Sequence, residues 1–147
     1  MYEIHEYSLF KTYNNLKRYN PNRIEIIPIL GDLSDYSKIS KNLTDYKVDT
    51  LFHAAAYKHV GLTENNITQT FINNVFTTYN LLKSLKNISI KNFVLISTDK
   101  AVRPTSIMGA TKRICEKIII YNSLSQIKTN NINYSIVRFG NVLNSSG

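Results

Sequence analysis

The amino-acid sequence predicts an α/β fold built on a doubly wound parallel sheet. Four short apolar runs alternate with four longer stretches in which apolar residues recur at helical spacing. Such alternation is typical of parallel strands whose connecting helices cover both faces of the sheet. Four polar clusters, GDLSD, HAAAYKHV, STDK and FGNV, each follow the end of an apolar run. Doubly wound sheets bind ligands at the carboxyl ends of their strands, so these clusters indicate one functional edge.

The individual elements follow from local patterns. We expect strands at residues 23–30, 49–56, 92–98 and 133–139, and helices at residues 6–19, 35–43, 67–86 and 107–123. Pro28 lacks an amide hydrogen and therefore favours an edge strand or a strand end for the first run. The opening MYEI is interpreted as the end of a further strand. The third helix is expected to carry one buried stripe, formed by Phe71, Val75, Leu82 and Leu85.

Composition restricts the class of protein further. The chain has 147 residues, 43% of them hydrophobic, which suits one domain with a packed core. It has no apolar run of about twenty residues, the length that a membrane-spanning helix needs, and its start lacks the apolar segment of a secretory signal. The single cysteine, Cys115, fits a reducing compartment, and we expect it to be a small buried helix residue. A cytoplasmic location is therefore expected.

The formal charge of +8 does not by itself indicate nucleic-acid binding. The lysines and arginines are scattered, and no basic stripe interleaves with aromatic residues, so we expect no nucleic-acid partner. The positive charge would instead favour an anionic small molecule through long-range attraction. No residue is assigned to a metal.

One expected feature of a dinucleotide-binding sheet is missing from the sequence. Such a sheet opens with a strand and a glycine-rich turn, yet no G-x-G-x-x-G occurs among the five glycines. The first strand is central in the sheet order 3-2-1-4-5-6. We therefore expect a fold that lacks this strand, with an apolar slot between its two halves.

Two groups of residues have the chemistry of a reaction site. The run Ser97–Lys100 offers a hydroxyl, an acid and an amine, which could supply an oxyanion donor, a proton donor and a base; a polar turn closing a strand is the ordinary alternative. Met108 and Lys112, four residues apart on a helix, share one face. On spacing alone, Met108 would be an ordinary apolar helix residue.

A family resemblance gives these residues a common interpretation. The segments FHAAAYKHV, NNVFTTYN, LISTDKAVRPTSIMGATKR and RFGNVLNSSG resemble the polysaccharide-biosynthesis family of inverting UDP-N-acetylglucosamine 4,6-dehydratases, which are extended short-chain dehydrogenase/reductases. One branch has a tyrosine where this chain has Met108. The chain resembles the methionine branch, whose full-length members combine a membrane-embedded region with a cytoplasmic catalytic domain. The resemblance implies an NAD-dependent lyase that makes a 4-keto-6-deoxy sugar for surface polysaccharide.

The resemblance also implies roles for individual residues. Catalysis would fall to Thr98, Asp99, Lys100, Met108 and Lys112. NAD would be held by Glu3, Asp32, Leu33, Ala54, Ala55, Ala56, Asn74 and Lys112, and the nucleotide sugar by Lys58 and Asn141. The carboxylate of Glu3 would favour NAD, since it repels the 2′-phosphate of NADP. A turn or cap for Asp32 and a solvated charge for Lys58 remain alternatives, and His53 is expected to be a packed strand residue.

Three functional hypotheses remain open. Residues 1–147 are expected to form a partial NAD-binding domain without the sugar-nucleotide subdomain, active as a dehydratase only with a complementing N-terminal chain. The second hypothesis is an inactive remnant or a nucleotide-binding partial domain. The third is a nucleotide-sugar 4-epimerase, which should retain the tyrosine at position 108. Homo-oligomerisation is left open.

Overall fold

The computed structural model of the chain describes residues 1–85, 88–125 and 132–142. The elements in chain order are β1 (Tyr2–Glu3), α1 (Glu6–Arg18), β2 (Ile29–Leu30), α2 (Tyr36–Asp45), β3 (Thr50–His53), α3 (Val60–Glu64), α4 (Ile67–Phe71), a π-helical turn (Ile72–Phe76), α5 (Thr77–Ser84), β4 (Asn92–Thr98), a 3₁₀ turn (Asp99–Ala101), α6 (Ile107–Ser125) and β5 (Asn133–Phe139). In the described part of the chain, no helix is both long and apolar enough to span a bilayer.

The strands form two parallel sheets. β1 pairs with β2, with Tyr2 opposite Ile29. β4 lies between β3 and β5, so that Phe93 has Leu51 on one side and Tyr134 on the other. Parallel strands joined by helices confirm the α/β class that the sequence predicts.

The core lies between the three-stranded sheet and the helices that pack on it. Alternate residues of β4 are buried, including Phe93 and Leu95, whose side chains have no exposed surface. Leu82 of α5 and Ile119 of α6 complete the centre of this core, and Cys115 is buried among them as expected. Helix α2 joins the same core and packs against α5, which connects the two sheets through their helices.

The carboxyl ends of all five strands lie at one edge of the molecule. Ile4 and Gly31, which follow β1 and β2, line the same small cavity as Ala55, which follows β3. A larger cavity is lined by the same turn after β3, by Thr98 at the end of β4 and by Gly140 after β5. The polar clusters that follow the strands are therefore gathered at this edge.

A slot separates the two sheets where the sequence predicts one. Among the described residues, β1 is paired only with β2, and β3 only with β4, which leaves one unpaired edge on each strand. Between these edges lies a cavity of about 700 Å³. Its wall is largely apolar and includes Ile29, Ile39, Leu43, Leu51 and Leu81.

The structure differs from the expected elements in two respects. The first is strand length, because only Thr50–His53 of the run 49–56 and only Ile29–Leu30 of the run 23–30 form strands. The segment before Ile29 begins with a left-handed residue, Arg23 (φ 50°), and the Asn20 side chain bonds to both the amide and the carbonyl of Ile24. Strand pairing therefore starts only after Pro28.

The second difference concerns the helix expected at 67–86. It consists of α4, the π-helical turn and α5, and its expected end at Lys86 lies outside the described residues. Val75, Leu82 and Leu85 are buried as expected, whereas Phe71, the last residue of α4, is exposed and, among the aromatic residues described, has only an edge-on contact with the Phe76 ring.

Candidate active site

A cavity of about 500 Å³ opens at the carboxyl ends of β3, β4 and β5. It brings together most of the residues that the sequence analysis assigns to catalysis and to the substrate, together with two of the alanines that it assigns to NAD. These are Ala54, Ala56, Lys58, Thr98, Lys100, Met108, Lys112 and Asn141. They come from three strand ends and helix α6, so tertiary structure rather than sequence proximity assembles the group.

The turn after β4 presents the hydroxyl, carboxylate and amine as one bonded group. Thr98 caps the 3₁₀ turn, because its Oγ1 accepts the amide hydrogen of Lys100. The Thr98 hydroxyl donates to Asp99 Oδ1 at 3.0 Å, and Lys100 Nζ lies 3.3 Å from the same oxygen. Thr98 and Lys100 line the cavity, whereas Asp99 is not among the lining residues. The carboxylate of Asp99 thus contacts two side chains that line the cavity but does not line the cavity itself.

These contacts also determine the charge of Asp99. Its hydrogen bonds with Thr98 and then with Lys100 lower the pKa of the carboxyl below its ordinary value. Asp99 is therefore an ionised carboxylate at neutral pH.

Met108 and Lys112 lie on the face of α6 that closes the cavity from below. Both are buried, as their spacing on one helical face predicts. Lys112 Nζ donates to the carbonyl oxygen of Ile96 in β4 at 2.6 Å. Burial lowers the pKa of Lys112 from its ordinary value, with a smaller opposite effect of Cys115 and Glu116.

The N-terminus of α6 is held by a carboxylate from another helix. Glu64 Oε1, at the end of α3, accepts the amide hydrogen of Ile107 at 2.7 Å. This bond satisfies a free amide of the first helical turn and complements the helix dipole. It links α3, which follows the Lys58 loop, to the helix that carries Met108.

Asn74 has a structural position behind the alanine turn. Its Oδ1 accepts the amide hydrogen of Tyr57 at 2.7 Å, and its Nδ2 donates to the Tyr57 carbonyl and to Thr111 Oγ1. The side chain is buried and lines neither of the two cavities at the strand ends. Asn74 lies in the π-helical turn, a feature that often occurs at functional sites. It fixes the loop that contains Ala54, Ala55 and Ala56.

A second, small cavity of about 60 Å³ gathers the remaining expected residues. It is lined by Glu3, Asp32, Leu33 and Ala55, together with Tyr2, Ile4, Gly31, Asn73 and Thr77. Glu3 Oε1 accepts the amide hydrogens of Ile4 and His5, which holds the carboxylate at the end of β1. Asp32 Oδ1 accepts the Ser34 amide, as a turn residue does.

His53 is a packed strand residue, as expected. It is buried, and its Nε2 lies 2.8 Å from Thr78 Oγ1 on α5. Burial, with the nearby charge of Lys112, lowers the pKa of His53 to about 3.

The sequence analysis overlooked Glu116, which lies four residues after Lys112. Its side chain has no exposed surface and is paired with two arginines. The sequence did contain a signal for this residue. Glu116 continues the four-residue spacing of Met108 and Lys112 on one helical face, and an arginine, Arg138, occurs in the next strand.

The fold and the arrangement of the strand ends are those of the Rossmann-like short-chain dehydrogenase/reductases. The chain belongs to a family described as polysaccharide biosynthesis protein, whose model matches residues 1–147. The chain is 40% identical over 142 residues to the capsular polysaccharide biosynthesis protein CapD of Staphylococcus aureus, covering 97% of this chain and 23% of that protein. It is 30% identical over 163 residues to an inverting UDP-N-acetylglucosamine 4,6-dehydratase of Campylobacter jejuni, covering 95% of this chain and 48% of the enzyme.

Solved structures support the fold. The X-ray structure of Pen from Bacillus thuringiensis matches with a TM-score of 0.87 and 31% identity, covering 99% of this chain and 43% of that chain. A UDP-glucose 4-epimerase from Brucella ovis in complex with NAD matches with a TM-score of 0.70 and 20% identity, covering 77% and 38%. The chain therefore spans less than half the length of each of these relatives.

Proposed function

We propose that this chain is the NAD-binding part of a nucleotide-sugar 4,6-dehydratase that acts in polysaccharide biosynthesis. Its substrate would be UDP-N-acetylglucosamine and its product a 4-keto-6-deoxy sugar nucleotide. One observation carries the proposal: Thr98, Lys100, Met108 and Lys112 line a single cavity at the carboxyl ends of the strands. Family membership supports a role in polysaccharide biosynthesis.

The residues present fit the two ends of NAD. At the adenosine end, one oxygen of Glu3 accepts the amide hydrogens of Ile4 and His5, which orients the carboxylate beside Asp32, Leu33 and Ala55. At the nicotinamide end, Ala54 and Ala56 have only a methyl side chain, so a flat ring could approach the backbone. Lys112 would hold the ribose, as the family resemblance implies. NAD would accept a hydride from carbon 4 of the sugar and return it to carbon 6.

The proton transfers would be carried out by the turn after β4. The Thr98 hydroxyl would hydrogen-bond the carbon 4 oxygen, and the ionised Asp99 would accept the proton of the carbon 4 hydroxyl through Thr98 or through water, since Asp99 does not itself line the cavity. Lys100 is paired with Asp99 as an ammonium, so it would first release a proton to solvent and would then remove the proton on carbon 5, which the ketone at carbon 4 makes acidic. Asp99 would then donate its proton to the departing carbon 6 hydroxyl, which leaves as water, and Lys100 would return a proton to carbon 5.

This order of proton transfers explains how a site with methionine at position 108 could catalyse the reaction. Met108 has no exchangeable proton and could not take part in proton transfer. Asp99 would receive the proton of the carbon 4 hydroxyl and would later donate it to the departing carbon 6 hydroxyl. The site begins with an ionised carboxylate, as the first role of Asp99 requires.

Activity is proposed to require a complementing N-terminal segment. The sequence contains no G-x-G-x-x-G turn for the pyrophosphate, and within residues 1–85, 88–125 and 132–142 β1 and β3 each have an unpaired edge beside an apolar slot. A strand paired with both edges would join the two sheets and place its carboxyl end between the two cavities. The assembled enzyme is expected to act in the cytoplasm.

The experiment compares the purified chain with and without a segment that carries a glycine-rich βα turn. Each sample receives NAD and UDP-N-acetylglucosamine, and mass spectrometry detects a product that has lost one water. In the mixture we expect product, and Lys100→Met should lower its rate by about 10²-fold or more because the base is lost. Lys91→Met is the matched control, since Lys91 precedes β4 at its opposite end and is largely exposed.

Deuterated solvent makes the assignment of Lys100 specific. Wild-type product should carry deuterium at carbon 5, whereas K100M should still oxidise carbon 4, seen as NADH absorbance, without exchange at carbon 5. Exchange that persists in K100M would remove Lys100 as the base. Absence of product in every mixture would favour the inactive partial domain.

A nucleotide-sugar 4-epimerase is the second candidate. The chain is 31% identical over 118 residues to a UDP-glucose 4-epimerase of Rickettsia bellii, covering 80% of this chain and 34% of that enzyme. Met108 opposes this function, because it cannot move the proton of the carbon 4 hydroxyl. A product of unchanged mass with inverted carbon 4 would support the epimerase.

A further inference from the structure

The side chain of Glu116 is fully buried behind the larger cavity and joins three elements of the fold. It lies on α6, one helical turn after Lys112. Ser97 of β4 donates its hydroxyl to Oε1 at 2.7 Å. Arg138 of β5 donates through Nε to Oε1 and through Nη2 to Oε2, each at 2.8 Å. Arg113, on the same helix, donates to Oε2 at 2.9 Å.

A buried carboxylate with this set of partners is ionised and rigid. Burial alone would raise the pKa of Glu116, but the bonds from Arg138, Ser97 and Arg113 outweigh it and hold the pKa at about 2. The two parallel bonds to Arg138 fix the direction as well as the distance between α6 and β5. Loss of one partner would leave a charge buried without compensation, which is strongly unfavourable.

The partners of Glu116 lie next to the residues that line the cavity. Ser97 directly precedes Thr98 and the 3₁₀ turn that carries Lys100. Arg138 directly precedes the segment 139–142, which forms the opposite wall and includes Asn141. One carboxylate thus determines the separation between the turn after β4, the segment after β5 and the helix of Lys112.

We propose that Glu116 is a positioning residue that holds the Thr98–Lys100 turn and the segment 139–142 at fixed places on either side of the substrate cavity. This inference rests on the proposed function, since it takes the cavity as the place where the nucleotide sugar binds. Glu116 itself lines neither cavity and acts through Ser97 and Arg138.

A positioning role and a general structural role predict different locations for faster amide hydrogen exchange when Glu116 is changed. Loss of a structural contact would destabilise the whole cooperative unit and raise hydrogen exchange throughout the core. Loss of a positioning contact would raise exchange mainly at residues 98–100 and 139–142. Amide hydrogen exchange reports such local opening residue by residue.

The test compares Glu116→Gln with Asp49→Asn in the full chain. E116Q keeps the size of the side chain but sets an amide donor against the guanidinium groups. D49N removes the carboxylate of the exposed Lys91–Asp49 pair, which lies at the opposite end of the same sheet. In E116Q we expect exchange at 98–100 and 139–142 to become about tenfold faster, with α2 unchanged. D49N should leave both segments unchanged.

A second variant distinguishes the bond of Glu116 to β4 from its bonds to the arginines, and it keeps the proposal testable if E116Q fails to fold. Ser97→Ala keeps the bonds between Glu116 and the arginines but removes the bond to β4. Faster exchange should then be confined to residues 98–100. Uniform acceleration in both variants, or no acceleration at either segment, would overturn the positioning role.

Binding of UDP-N-acetylglucosamine gives the second readout. The dissociation constant should rise at least about fivefold in E116Q and stay unchanged in D49N, because small displacements of positioned groups weaken their contacts with ligand. If the wild-type chain does not bind this ligand even when mixed with the complementing segment, the proposed function fails on its own. The exchange pattern would still decide whether Glu116 sets the geometry of the cavity.

Discussion

Gly109 of α6 is packed directly against the backbone of Lys100. A β-carbon placed on Gly109 would lie 2.5 Å from the carbonyl oxygen of Lys100, closer than real β-carbons approach other atoms. The absence of a side chain at this one position allows the 3₁₀ turn to rest on the helix that carries Met108 and Lys112. The close packing of these two backbones sets the depth of the cavity floor.

Gly109→Ala should therefore displace the turn after β4. The obstacle is a backbone carbonyl, so relief requires movement of the turn, and we expect a loss of about 1–3 kcal/mol in the free energy of unfolding. Urea denaturation measures this loss. Gly61→Ala is the matched control, since a β-carbon there meets nothing within 4 Å and helical alanine should be neutral or stabilising. Equal stability of the two variants would contradict the packing argument.

Asn74→Ala should be destabilising because the amide and the carbonyl of Tyr57 would both lose their hydrogen bonds to the Asn74 side chain. Removing a buried amide that makes four hydrogen bonds is expected to cost about 2–4 kcal/mol in the free energy of unfolding. Asn42→Ala is the control, because the Asn42 side chain donates one exposed bond to the Lys38 carbonyl. If the two variants unfold at the same urea concentration, Asn74 does not support the alanine turn.

Glu116 should give the protein a marked acid sensitivity below pH 4.5. The pKa of Glu116 is about 2 in the folded chain and 4.5 ordinarily, so its stabilisation is complete above pH 4.5 and is lost as the pH falls toward 2. Proton linkage converts this difference into about 3 kcal/mol of unfolding free energy. Urea denaturation of E116Q between pH 5 and pH 3 should show a shallower dependence on pH than wild type. An unchanged slope would mean that the carboxyl titrates normally.

His53 should make the free energy of unfolding depend on pH in a higher pH range than Glu116 does. It is neutral in the folded chain because its pKa is about 3, whereas in the unfolded chain it binds a proton below about pH 6.5. Stability should fall as the pH drops from 6.5 toward 4, by about 1.4 kcal/mol per pH unit once the unfolded histidine is protonated. His53→Asn should abolish this slope, and His59→Asn, at an exposed position, should retain it.

Hydrophobic patterning predicted the bounds of the two strands that are paired along their whole length. The bounds of β4 and β5 agree with the expected residues 92–98 and 133–139, because both strands are paired along their whole length. The run 23–30 has a similar composition, yet only its last two residues pair. Side-chain bonds of Asn20 and the backbone of Arg23 determine that outcome, and no apolar period reports them.

The candidate site shows the same division. Proximity in sequence brought Thr98, Asp99 and Lys100 together, and helical spacing placed Met108 beside Lys112. Spacing could not show that Asp99 would turn from the cavity to bond with its neighbours. Nor could it reveal the Glu116 network, since Ser97 and Arg138 are 41 residues apart and meet Glu116 only after β4 and β5 pair. Contacts between distant segments depend on tertiary packing.

The unpaired edges of β1 and β3 have a practical consequence for handling the protein. Exposed backbone donors and acceptors beside apolar side chains are a template for intermolecular strand addition. Solutions of residues 1–147 should accordingly aggregate with a steep dependence on protein concentration, and dynamic light scattering would follow the process. A soluble peptide that caps either edge should delay it, which makes colloidal behaviour a simple assay for ligands of the slot.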